Sequence, residues 1–114
     1  MLMTDFKSID DCPITVTLSF IGGRWKTIIL YIIGDLTLRF GEISAPIPAI
    51  FRKVLTEQLK ELVSDGILNR KKYNETPPRV EYSITEFGKS LNKVLTQMET
   101  WGTEVDKLKK KNDQ

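Results

Sequence analysis

Residues 52–84 read RKVLTEQLKELVSDGILNRKKYNETPPRVEYSI, and this stretch predicts a polar-faced helix followed by a basic hairpin. Its first half has apolar side chains at helical spacing with polar side chains opposite them, and Gly66 ends the pattern. The apolar stripe consists of Leu55, Leu59, Leu62 and Val63, and the polar side of Lys53, Glu57, Lys60 and Ser64. Residues 67–73 and 80–84 then read as two strands, and the prolines in the connection 74–78 stiffen its tip.

Two helices are predicted upstream of this stretch. Pro13 suits the first position of a short helix that ends at Gly22-Gly23. A second helix starts near Arg24 and ends at Gly34, and we expect it to be mostly buried. The apolar residues of the first helix are Ile14, Leu18 and Ile21, and those of the second are Trp25, Ile28, Ile29 and Ile32.

A short extended segment and a brief helix complete the pattern. Residues 37–39 read as extended, and Phe40 and Ile43 indicate one or two helical turns. Pro46 and Pro48 must end those turns, because proline disfavours helix at the preceding residue. The resulting order of elements is that of a winged helix-turn-helix with a β-hairpin wing. We therefore predict an α+β fold, mainly α, that forms one domain over residues 1–114.

The last helix carries the strongest periodic signal in the chain. Thr85 can cap it, and its apolar residues repeat at alternating spacings of four and three. They are Phe87, Leu91, Val94, Met98, Trp101, Val105 and Leu108. This seam exceeds what so small a domain needs, so we predict a homodimer through the helix 85–108 and Leu18 of the first helix. The alternative is that the helix folds onto its own domain, and residues 109–114 read as a polar tail.

The exposed side of the polar-faced helix is the predicted reader of double-stranded DNA, because an α-helix fits the major groove. Its predicted contacts are Arg52, Lys53, Thr56, Glu57 and Lys60. Cations on the hairpin and its flank are predicted to bind phosphates or a minor groove, with Arg79 as the central wing contact. These cations are Arg39, Arg70, Lys71, Lys72 and Arg79. The alternative for any one of them is an ordinary solvated surface charge.

The composition narrows the classes of function. The net charge is only +2, but residues 24–72 hold nine cationic and five anionic side chains, so the positive excess lies in the middle. The chain has no histidine and one cysteine, Cys12, which argues against an enzyme, a metal site or a cofactor. Apolar runs stay well below the about 20 residues of a membrane span. Because residues 1–13 also lack a secretory signal, we expect a cytoplasmic protein.

Two blocks of sequence are specific when taken together. They are Ile21-Gly22-Gly23-Arg24-Trp25-Lys26 and Pro77-Pro78-Arg79-Val80-Glu81-Tyr82-Ser83. Shorter matches are Cys12-Pro13, Arg39-Phe40-Gly41-Glu42-Ile43, Leu55-Thr56, Gln58-Leu59, Leu62 and Asp65-Gly66. In this pattern the chain resembles the HxlR-type, MarR-like winged helix-turn-helix regulators over residues 12–102. The resemblance implies bacterial transcription control by a homodimer. The two-fold symmetry of a dimer predicts an inverted-repeat operator, and we expect repressor-like action.

Two departures from that family lie near the predicted DNA-binding face. Relatives usually cap the recognition helix with a small polar residue, whereas this chain has Phe51, which we expect to pack inwards rather than contact a base. Residues 44–46 replace a stretch that is often basic in the family, so we expect fewer phosphate contacts there.

The single cysteine is a candidate sensor. The dipole of the helix that starts at Pro13 lowers the pKa of the Cys12 thiol, whereas Asp10 and Asp11 oppose this effect. Because some HxlR-type relatives sense oxidants or electrophiles with a cysteine near this position, the resemblance implies that Cys12 is a redox sensor and that an oxidant or small molecule is the effector. The alternative is that Cys12 packs as a small hydrophobe. The rival to DNA binding as a whole is a winged-helix module that binds another protein.

Overall fold

The computed structural model describes residues 7–112 of the chain. A 3-10 turn, Ile9–Asp11, precedes the first helix. The helices are α1 (Pro13–Ile21), α2 (Lys26–Ile33), α3 (Phe40–Ser44), α4 (Arg52–Ser64), α5 (Glu86–Lys89) and α6 (Asn92–Asn112). The strands are β1 (Leu38–Arg39), β2 (Leu68–Tyr73) and β3 (Arg79–Ile84). The predicted mainly helical α+β fold is confirmed.

The three strands form one antiparallel sheet in the order β1-β3-β2. The predicted hairpin is confirmed, and its register places Arg70 opposite Tyr82, Lys71 opposite Glu81 and Tyr73 opposite Arg79. The short strand β1 pairs with β3 and leads directly into α3. The sheet therefore ties the wing to the start of the helix-turn-helix.

The core fixes the orientation of α4. Its residues Leu55, Leu59 and Leu62 are fully buried against α2, α3 and the sheet, and each such side chain contributes about 1.5–3 kcal/mol by leaving water. Burial of this stripe turns the polar side of α4 to solvent, as predicted. Gly66, with φ +77°, follows the helix in the left-handed conformation that glycine adopts without strain.

The buried face of α2 differs from the prediction. The helix starts at Lys26, and its core-facing residues are Ile29, Leu30 and Ile33, whereas Ile28 is partly exposed. The aliphatic stem of Lys26 completes this face, and its ammonium group lies 3.7 Å from Glu61 of α4. Lys26 was counted in the central positive excess, but here it joins two helices and is not available to an outside anion.

The last helix is interrupted, whereas one continuous helix over 85–108 was predicted. Thr85 caps α5 as expected, because its hydroxyl oxygen accepts a hydrogen bond from Gly88 N at 2.9 Å. The chain then makes tight three-residue turns, in which Ser90 N bonds Phe87 O and Leu91 N bonds Gly88 O, and α6 begins at Asn92. The Ser90 hydroxyl also donates to Phe87 O, which competes with the helical pattern at this point.

In the described part of the chain, no single helix is long and apolar enough to cross a membrane. The pair α1 and α2, bent by 68°, reaches that threshold by length and composition only.

Candidate nucleic-acid interface and dimer surface

The polar side of α4 is open to solvent along its whole length. All five predicted contacts on this helix are exposed, and none of its cations forms an ion pair with another described residue. They are Arg52, Lys53, Thr56, Glu57 and Lys60. Thr56 is partly committed, since its hydroxyl donates to Arg52 O at 2.8 Å, which leaves its methyl group and oxygen lone pairs for a ligand. The helix therefore offers cations and one carboxylate to a partner.

The start of α4 contradicts one expectation. Phe51 was expected to pack inwards, but its side chain is 78% exposed at the N-cap position, with no side-chain cap hydrogen bond. The neighbouring Ile50 packs against the core in its place. Arg52 stacks its guanidinium over the Phe40 ring, 4.5 Å from the ring centroid, and so connects α4 to α3. The ring of Phe51 is left facing solvent.

A groove between α4 and the wing brings three predicted DNA contacts together. Thr56 and Lys60 from the helix and Arg70 from β2 line it, with Tyr82 at its base. Both cations are exposed. The groove therefore has a cation on each side, one from α4 and one from β2, and both could bind phosphates of a DNA backbone.

Strand β2 divides the three consecutive cations at positions 70–72 between the two faces of the sheet. Side chains alternate across a sheet, so Arg70 and Lys72 share a face, whereas Lys71 points to the other. Lys71 lies with Tyr73 and Glu81 on that second face, and its Nζ is 4.9 Å from the Tyr73 ring centroid. One duplex held on the α4 side would meet Arg70 and Lys72 rather than the full triplet.

Arg79, the predicted central wing contact, is engaged inside the wing. Its Nη2 lies 3.2 Å from Glu75, its Nε 4.0 Å from Glu81, and its Cζ 4.0 Å from the Tyr73 ring centroid. A phosphate that binds Arg79 must therefore compete with Glu75. The pairing of Arg79 with Glu75 and Glu81 was not predicted from the sequence. Strand alternation puts Glu81 on the face of Arg79, but the approach of Glu75 depends on the folded tip. Arg39 of β1 pairs with Glu81 of β3, lines a groove together with Arg79, and is exposed.

Helix α6 has no buried residue, although it is the longest described helix. The first part of the predicted seam rests on the chain's own core, because Leu91, Val94 and Leu95 pack against it. From Met98 onward the seam is uncovered, and Trp101 is 69% exposed. Only Val105 in this distal part is half-buried. The alternative in which the helix folds onto its own domain therefore applies to the first half, and dimerisation through the distal half stays a prediction.

The first helix also turns apolar side chains outwards. Ile14 and Leu18 are exposed, and only Ile21 of the predicted stripe is buried. Leu18 lines a groove with Val94 and Met98 of α6, and Phe87 contacts Phe20 edge-on with ring centroids 5.8 Å apart. A second groove runs between α6 and the exposed Tyr31 of α2. The two grooves share Thr27 and Met98 and therefore adjoin each other beside α6.

The shape of the chain agrees with an uncovered arm, by which we mean the part of α6 from Met98 onward. Its radius of gyration is 16.9 Å, whereas a compact chain of 100 residues has a value of about 13 Å. From Met98 onward α6 has a single half-buried residue, so this part of the helix gains little from packing on its own domain. The arm therefore lacks the packing that stabilises helices of this length in water.

Cys12 is half-buried at the N-cap of α1. No hydrogen bond of capping geometry reaches its sulfur, yet the backbone N–H groups of Thr15 and then Ile14 lie close enough to lower the pKa of the thiol, against a smaller opposing effect of burial. The expected effect of the helix start is therefore present. Among the described residues, no group of three or more metal-ligating side chains occurs.

Comparisons with known proteins point to one group. A family model described as HxlR-like helix-turn-helix matches residues 20–110. The HTH-type transcriptional regulator YdeP of Bacillus subtilis is 44% identical over 110 residues, which cover 91% of this chain and 86% of that protein. The redox regulator HypR in its oxidized form is 46% identical with a TM-score of 0.79, over 82% of this chain and 96% of that chain. Diamide-treated YodB of Bacillus subtilis is 38% identical with a TM-score of 0.68, over 82% and 93%.

Proposed function

Because the chain belongs to the HxlR-like helix-turn-helix family of transcriptional regulators, we propose that it acts as a homodimer that binds an inverted-repeat operator and represses transcription. Members of this family are regulators and not enzymes, as the sequence predicted. The observation that carries the proposal is the exposed cationic side of α4, flanked by Arg70 across a groove.

The exposed apolar side chains of the arm support dimerisation. A second copy that covers Met98, Trp101 and the outward side of α1 removes these side chains from water. Two-fold symmetry then presents two copies of α4 to one face of the duplex. Half-sites read in this way lie about 34 Å apart, which is one turn of B-DNA.

Selection of duplexes from a random library by the purified full-length protein tests the proposal. We expect an inverted repeat, bound by a dimer, whose affinity falls steeply between two salt concentrations because bound cations release counterions. Absence of enrichment together with salt-independent binding contradicts DNA recognition. That result favours the protein-interaction module instead.

Replacement of Lys53 by alanine measures the role of the recognition helix. The Lys53 ammonium is exposed and has no ion pair among the described residues, so we expect it to bind a phosphate in each half-site. Its loss should lower the slope of log affinity against log salt by about two per dimer, and weaken all duplexes about equally. Anisotropy titration at several salt concentrations gives the slope.

Lys93→Ala is the matched control for this substitution. Lys93 is an exposed lysine on α6, outside the predicted interface, and its removal changes the net charge equally. We expect its salt slope to equal that of the wild type. Equal slopes for both variants and the wild type contradict a phosphate contact at Lys53.

We further propose that oxidation or alkylation of Cys12 regulates operator binding, as the similarity to HypR and YodB supports. The lowered pKa gives more thiolate at neutral pH, and the thiolate is the reactive form. Diamide converts two thiols to one disulfide and is itself reduced to the hydrazine. With one cysteine per chain, that disulfide joins two chains or one chain and a small thiol.

The pH dependence of Cys12 alkylation tests this part of the proposal. Because the helix start lowers the pKa of the thiol, the midpoint of the rate profile should lie at lower pH in the folded protein than in the protein unfolded in urea. Equal midpoints contradict activation by the helix. Diamide should release the wild type from its operator and leave Cys12→Ser bound, and release of both removes Cys12 from the mechanism.

A further inference from the structure

Phe51 is exposed and lies outside the core formed by the described residues. Of the large apolar side chains described, it is the most exposed, at 78%. Its backbone is extended at the N-cap of α4, and its side chain neither caps the helix nor joins the core. Its replacement by alanine should therefore cost the fold little, and the ring is available to a partner.

The surroundings of Phe51 favour a polyanionic partner. Ile50 packs against the core, so Phe51 is a single ring rather than part of an apolar patch. Arg52 and Lys53 follow it directly, and both are exposed. Because Arg52 stacks back on Phe40, Phe51 and Lys53 are the side chains of the helix start that remain available to a partner. Phe51 is a single exposed ring at the start of α4, and two exposed cations follow it. Because these cations would attract phosphates, the site suits a DNA groove better than an apolar protein surface.

We infer that Phe51 reads thymine by contact with its 5-methyl group in the major groove of each half-site. This inference rests on the proposed function, in which the N-terminal half of α4 enters that groove. The thymine methyl is the apolar group that the base pairs present there, and phenylalanine is suited to contact it. Cytosine offers an amino group at the neighbouring position, which a phenyl ring cannot satisfy. Phe51 is therefore a specificity-determining residue.

Replacement of each operator thymine by 2′-deoxyuridine tests the contact, since the two bases differ only by the methyl group. We expect one thymine per half-site at which the replacement weakens wild-type binding about fourfold, and about fifteenfold when both half-sites are changed, as for one buried methyl-sized group each. Phe51→Ala should bind both duplexes equally, whereas Phe51→Leu should retain part of the discrimination. Lys53→Ala should weaken binding to the thymine duplex and to the deoxyuridine duplex by the same factor, and so keep the wild-type discrimination between them.

The outcomes separate this inference from the proposed function. If Phe51→Ala keeps the wild-type sensitivity to deoxyuridine at every thymine, Phe51 does not read the methyl group, while operator binding itself stands. If the wild type binds no duplex, the proposed function is wrong as well. Circular dichroism of Phe51→Ala should match the wild type, because the side chain is exposed.

Discussion

Replacement of Trp101 by glutamate is expected to convert the dimer to a monomer and to weaken operator binding at least a hundredfold. Trp101 is 69% exposed on the uncovered part of α6, and in the proposed dimer the partner covers it. A carboxylate there must be desolvated when the partner covers it, which opposes association. Loss of the dimer removes the second recognition helix, and linked binding of two half-sites is worth about 10²–10⁴ in affinity. Sedimentation gives the mass, and anisotropy titration gives the affinity.

Thr96→Glu is the matched control for this prediction. Thr96 is an exposed residue of the same helix, but at 100° per residue it lies opposite the apolar seam. The same charge added there should leave both the dimer and the operator affinity unchanged. If Trp101→Glu stays dimeric with wild-type affinity, the α6 seam is not the interface between copies.

Element boundaries were predictable because glycine and proline act through their own backbone. Pro13 begins α1, and α3 ends before Pro46, as expected. Gly34 and Gly66 follow their helices with φ values of +50° and +77°. These signals need no knowledge of the rest of the fold. The same holds for Thr85, whose side chain caps the residue three positions later.

The facing of individual side chains was less predictable, because it depends on neighbours that are distant in sequence. Lys26 is buried because α4 supplies Glu61, and a hydrophobicity pattern treats lysine as a surface residue. The break before α6 was missed because the turn at Ser90 keeps the apolar spacing of the seam intact. Phe51 was expected inside because apolar residues usually are, yet Ile50 already contacts the core. For Lys26 and Phe51, the local sequence predicts the element, whereas tertiary contacts decide which side chain faces the core.

These differences change the predicted interface more than the predicted fold. Arg79 forms ion pairs within the wing, and Lys71 lies on the sheet face away from α4. The cations that remain together are on α4 and on the near face of β2. The candidate interface is therefore narrower than the sum of basic residues in the sequence, and Phe51 at its edge adds an apolar contact to it.

Replacement of Gly88 by alanine is expected to destabilise the folded protein by about 3 kcal/mol, which corresponds to a fall in Tm of roughly 10–20 °C. A Cβ at Gly88 would lie 2.7 Å from Ile84 Cγ2 and collide with the backbone carbonyl oxygen of Ile67. A backbone carbonyl in the core cannot rotate away as a flexible side chain can. Thr85 holds this junction from the other side, since its hydroxyl accepts from Gly88 N and donates to Gly66 O at 2.6 Å.

Gly41→Ala is the matched control, because it makes the same chemical change in a helix with no heavy atom within 4 Å of the new Cβ. There alanine should leave stability unchanged or raise it by about 0.5–1 kcal/mol through its better helix propensity. Chemical denaturation at one fixed protein concentration compares the two variants, since the proposed dimerisation would make stability depend on concentration. Equal stability would mean that α5 does not pack on the Ile67 backbone. Because α5 leads directly into α6, the same close contact also sets the direction in which α6 leaves the domain. In the proposed dimer, Gly88→Ala should therefore weaken operator binding even where the variant remains folded.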